Sequence, residues 1–95
     1  MITFTVRMKF PPEDREEIAG LLEKLTAAAR QEPGCVTFIP HHLEADPDTV
    51  LIYEQYADKA AEDAHRQSEH FKLYAVNGLY QKMLDRHRED FVALA

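Results

Sequence analysis

Three side chains in this sequence have the chemistry and the spacing to move a proton: Glu54, His65 and His70. Glu54 interrupts the apolar face that Val50, Ile52 and Tyr56 share on a strand, where a carboxylate is costly unless paired or neutralised. A solvated strand end is the alternative, and pattern alone keeps both readings. His65 falls one helical turn after Ala61 and beside Ala64, on a small-residue face with room for a ligand next to the ring. An imidazole there could exchange a proton near neutrality, with a carboxylate such as Glu54 fixing its tautomer. The bland reading is a histidine at the edge of the core, bonded to a carbonyl. His70 lies in the first turn of the helix that Ser68 can cap, which suits a neutral donor or acceptor or a plain surface position. Tyr56, Phe71 and Tyr74 can wall a pocket, although aromatics at such spacing more often fill a core.

Other chemistries find little support. His41 and His42 are strand neighbours that point to opposite faces, and His65 and His70 straddle a helix break. Neither pair offers a ready chelate, so no metal site is expected. The three glycines form no phosphate-cradling loop. Cys35 has no basic neighbour in the chain to lower its pKa and reads as a packing residue in a reducing compartment. Lys and Arg number 11 against 17 Asp and Glu, a net charge of -6 with the cations scattered singly, which disfavours nucleic acid. No apolar run approaches the roughly 20 residues that span a bilayer. Met1 to Phe10, broken by Arg7 and Lys9, is too short and too polar for a secretory signal. The expectation is a soluble cytoplasmic protein without nucleic-acid or membrane partners.

The elements that must position these residues follow from periodicity. A chain of 95 residues allows one domain, 1–95. Ile2 to Phe10 alternates strictly, as a strand with one buried face does. After Pro11-Pro12, Ile18, Leu21, Leu22, Leu25 and Ala28 or Ala29 recur at helical steps until Glu32-Pro33-Gly34 stops the helix. Cys35 to Leu43 and Thr49 to Tyr56 read as a hairpin, with Pro40 implying an edge position or a bulge. Asp58 caps a short helix carrying Ala61, Ala64 and His65 on one face. A second helix holds Phe71, Tyr74, Ala75, Gly78, Leu79 and Met83, and Arg86 to Ala95 closes the chain as a strand with Phe91, Val92 and Leu94 as its apolar members. This order is the ferredoxin-like βαββαβ arrangement, an α+β fold with an antiparallel sheet. Leu51 and Tyr53 make the second face of the third strand apolar too, which predicts burial against another subunit in a symmetric homodimer.

At Glu32-Pro33-Gly34-Cys35, Ile52-Tyr53-Glu54-Gln55-Tyr56, Ala64-His65 and His70-Phe71 the chain resembles the antibiotic biosynthesis monooxygenase family over nearly its whole length. The resemblance implies a dimeric α/β barrel with a pocket between sheet and helices in each subunit. It assigns Glu54, His65 and His70 to that pocket as catalytic residues, with His65 or His70 as base, Glu54 orienting it, and Tyr56, Phe71 and Tyr74 packing on the substrate ring. It further implies that no cofactor is used: a deprotonated phenol or quinol itself reduces dioxygen. Tyr56 stands where the haem-degrading branch carries Trp. The absence of Trp, and the presence of Asn77 alone among asparagines, set that branch aside.

Two further readings use the same residues. One is isomerisation or breakdown of a small phosphorylated carbonyl signalling compound, with Arg7, Arg66 or Lys72 meeting the phosphate. The other is a dimer that binds a small molecule without catalysis.

Overall fold

A computed structural model describes residues 1–95. Strand β1 (Ile2–Lys9) ends at the proline pair, and a 3-10 turn, Pro12–Asp14, leads into helix α1 (Arg15–Ala29). Pro at the start of the turn supplies the right φ, and Glu16 and Glu17 place negative charge at the positive end of the α1 dipole. Ile18, Leu22, Leu25 and Ala29 recur at three- and four-residue steps and are buried as one stripe. Strands β2 (Cys35–Leu43) and β3 (Asp46–Tyr56) follow as a hairpin, then helix α2 (Lys59–Gln67), a π-helical stretch Phe71–Leu79, the short helix α3 (Tyr80–Lys82) and strand β4 (Asp85–Phe91). The sheet runs β2-β3-β1-β4 with antiparallel neighbours throughout, the ferredoxin-like α+β arrangement. Pro40 lies on β2, an edge strand, as its missing N–H requires. No helix is long and apolar enough to cross a membrane.

The register sorts the side chains. Phe4, Val6 and Met8 pair with Glu54, Ile52 and Val50, and this face packs against α1 and the π-helical stretch. Thr3, Thr5, Arg7, Leu51, Tyr53, Gln55 and Ile39 share the opposite face, which no helix covers.

Three expectations are corrected. The last strand is Asp85–Phe91, and Val92 and Leu94 lie beyond it, exposed. The register on β1 turns Arg86, Arg88 and Asp90 toward the helices, opposite Met8, Val6 and Phe4. There Arg88 stacks over the Phe4 ring, 3.8 Å from its centroid, and bonds Glu62 at 2.9 Å, so a cation with an apolar stem closes this edge of the core. On α2 the inward residues are Glu62 and His65, while Ala64 is exposed. The Asp58 cap fixes that phase by accepting from the Ala61 N–H at 2.8 Å. The second helical segment is π-helical over Phe71–Leu79, a wider coil that keeps Ala75, Gly78 and Leu79 inward.

Candidate active site

The site begins at a turn. Between α1 and β2 the chain passes through Glu32-Pro33-Gly34, and a Cβ on Gly34 would stand 2.3 Å from Ala61 Cβ. Glycine therefore lets this turn lie directly on α2. The approach brings Glu32 to His65, across 33 residues of sequence: Glu32 Oε2 lies 2.7 Å from His65 Nδ1. The same oxygen lies 2.5 Å from Nε2 of His70. A carboxylate only accepts, so the partners' chemistry assigns an N–H to each of these ring nitrogens. His65 is then the Nδ1–H tautomer and carries its lone pair at Nε2.

That lone pair points inward. His65 is 3% exposed and its Nε2 lies 3.9 Å from Glu54 Oε1. The separation exceeds hydrogen-bond reach, so the two atoms do not bond each other, and a ligand hydroxyl lying to one side of them can reach both. Glu54 is 5% exposed and accepts the Tyr56 O–H at 2.7 Å. Burial raises the Glu54 carboxyl to about 7, against the lowering pull of the Tyr56 hydroxyl and of Arg88 and Arg66. Burial pushes His65 the other way, below the ordinary imidazole value, with Glu32 opposing the shift. Burial thus favours a neutral imidazole facing a carboxyl that holds its proton well above the ordinary carboxylate range. Burial and the neighbouring Glu54 raise the Tyr56 hydroxyl far out of reach of titration, leaving it as a fixed donor.

A cavity of about 280 Å³ adjoins these groups, lined by Phe4, Phe38, Phe71, Leu79 and Tyr80 along with Glu54 and His65. Arg66 and Arg86 stand among its lining residues. Arg66 bonds Glu62 at 2.8 Å, whereas the Arg86 guanidinium has no carboxylate partner and leans on the Tyr80 ring. A larger groove of about 740 Å³ runs between α1 and the β2–β3 hairpin, but neither Glu54 nor His65 borders it.

The sequence-predicted residues are therefore brought to one locality in two layers. Glu54, His65 and Phe71 border the cavity. His70 sits behind His65, with ring centroids 6.1 Å apart, and Tyr56 lies fully buried beneath Glu54, 5.1 Å from the His65 ring. Tyr74 packs against the core and does not border the cavity. Sequence reasoning missed Glu32, Phe4, Tyr80 and Arg86. It is Glu32, not Glu54, that bonds the far nitrogen of His65. The one signal for Glu32 was its place in the Glu-Pro-Gly-Cys string, where it reads as a helix stop.

The sequence and the fold match known proteins. The sequence profile of the antibiotic biosynthesis monooxygenase family matches residues 1–76, and the chain belongs to that family. It is 27% identical over 78 residues to a Bacillus subtilis protein named "Putative monooxygenase YcnE", covering 82% of each chain. An uncharacterized protein of Synechocystis is 30% identical over 64 residues, covering 67% of this chain and 44% of that one, so the match spans less than half of that relative. A solved structure described as an antibiotic biosynthesis monooxygenase superposes with a TM-score of 0.93 over 100% of both chains at 24% identity, a likeness of fold.

Proposed function

We propose that the protein is a cofactor-independent monooxygenase that oxidises a small electron-rich phenol or quinol with dioxygen. The observation that carries this reading is the line Glu32, His65, Glu54, which aims a bare imidazole nitrogen at a buried carboxyl beside an apolar cavity. His65 Nε2 takes the phenolic proton, and Glu32 stabilises the imidazolium that forms. The phenolate gives electrons to dioxygen, and a C–O bond forms at the ring carbon. Glu54 protonates the resulting peroxide. Loss of the proton on that carbon and departure of water leave the quinone, so phenol and dioxygen give quinone and water. The aromatic walls exclude bulk water from the anion and hold the ring. The work is assigned to a homodimer in the cytoplasm, with the helix-free sheet face against its mate.

Oxygen uptake with a panel of phenols and hydroquinones tests this. The expected result is protein-dependent consumption, lost in His65→Ala and reduced in Glu54→Gln. No uptake with any member would overturn it. Arg86, a cation at the cavity without an acid partner, favours a second reading, isomerisation of a phosphorylated carbonyl compound by the same base. Thermal stabilisation by phosphate, lost in Arg86→Gln, would support it.

A further inference from the structure

Glu32, His65 and His70 make an arrangement that proton transfer from His65 does not require. Only one imidazole is needed as base, yet two converge on a single carboxylate oxygen. The three potential ligand atoms, His65 Nδ1, His70 Nε2 and a Glu32 oxygen, lie within 4.8 Å of one another. The second oxygen, Glu32 Oε1, is buried and has no hydrogen-bond partner, an uncompensated acceptor beside the two rings. Two imidazole nitrogens and one carboxylate are the donor set of open, three-ligand zinc sites and of related transition-metal sites. The N to O separations of 2.5 and 2.7 Å suit hydrogen bonds. Ligand bonds of about 2.1 Å in a tetrahedral site hold the donors roughly 3.4 Å apart, so these must separate by somewhat under an ångström, about 0.7–0.9 Å, to admit an ion. His70 supplies that movement: its side chain is 23% exposed and opens the site toward solvent, while His65 is held by the core.

We propose that Glu32, His65 and His70 bind a divalent transition-metal ion of borderline softness, such as Zn²⁺ or Co²⁺, and that the bound ion switches His65 off as a base. The binding claim stands by itself, and its consequence for turnover rests on the function proposed above. When the ion takes the His65 Nδ1 lone pair, the ring proton moves to Nε2; His70 makes the opposite exchange, from Nε2 to Nδ1. No proton need leave either neutral ring. His65 Nε2 then carries hydrogen and has no lone pair for the substrate hydroxyl. Hard ions such as Mg²⁺ prefer all-oxygen sites and are excluded.

The test is titration of the chelator-treated protein with Co²⁺, followed by its visible absorption and by calorimetry, with Zn²⁺ as competitor and Mg²⁺ as control. The expected result is one Co²⁺ per chain, displaced by Zn²⁺. Affinity should fall by roughly tenfold or more in both His70→Ala and Glu32→Gln, at least what loss of an outer-shell partner costs a metal site. It should be unchanged in the doubly substituted His41→Ala, His42→Ala protein. Circular dichroism of each variant separates ligand loss from unfolding. Absence of Co²⁺ bands, or binding that survives His70→Ala and disappears with His41 and His42, overturns the proposal. Because binding is read without substrate, its failure is distinct from failure of the monooxygenase reading.

Discussion

Gly34 and Ala61 meet where the turn before β2 lies on α2, with 2.3 Å separating Ala61 Cβ from where a Cβ on residue 34 would lie. Glu32 reaches His65 because of this contact. Gly34→Ala is expected to cost about 1–3 kcal/mol through overpacking and to push α2 outward, lowering turnover with stability. The doubly substituted Gly34→Ala, Ala61→Gly protein should recover part of both, and thermal melts with activity assays would show it.

Glu54 makes stability depend on pH in a defined direction. Its carboxyl is raised from 4.5 to about 7 by burial, so the fold favours the protonated form. That contribution is fully present below pH 4.5 and is lost as pH rises through about 7. At about 1.4 kcal/mol per pH unit, the ionised fold carries a cost of about 3 kcal/mol. Glu54→Gln, which keeps an acceptor for Tyr56, should lose less stability than the parent between pH 5 and pH 8, on the order of that cost. Denaturant titrations at several pH values measure the difference.

The same groups shape the rate. Burial holds His65 below the ordinary imidazole value, so kcat/KM should rise with an apparent pKa under 6.5 and fall as Glu54 ionises near 7. In Glu54→Gln the upper limb should vanish. Glu32→Gln should lower kcat on the order of 10²-fold, because the tautomer of His65 is then no longer fixed.

What the chain discloses unaided depends on sequence distance. Glu54 and His65 were legible because each breaks a local pattern, an acid in an alternating apolar strand and an imidazole at helical spacing. The strands and helices were legible for the same reason. Glu32 was not, since its partners lie 33 and 38 residues away and its local surroundings spell a helix end. The last strand misled because Phe91, Val92 and Leu94 are the apolar residues, whereas the register on β1 turns Arg86 and Arg88 inward. The Phe4 ring and Glu62 hold Arg88 inward, and neither is its neighbour in sequence.

The helix-free sheet face carries Tyr53, Leu51 and Ile39. If this face is the proposed dimer contact, Tyr53→Glu should shift the protein to monomer by sedimentation. A monomeric parent at micromolar concentration would contradict that assignment.

Glu32 fixes His65 with hydrogen on Nδ1 and a bare Nε2. Nitrogen-15 NMR of the imidazole at neutral pH reads this directly. A pyrrole-type Nδ1 and a pyridine-type Nε2, mixing in Glu32→Gln, is the predicted outcome. An Nε2–H tautomer, or a doubly protonated ring, would mean that Glu32 does not leave His65 a free base at Nε2.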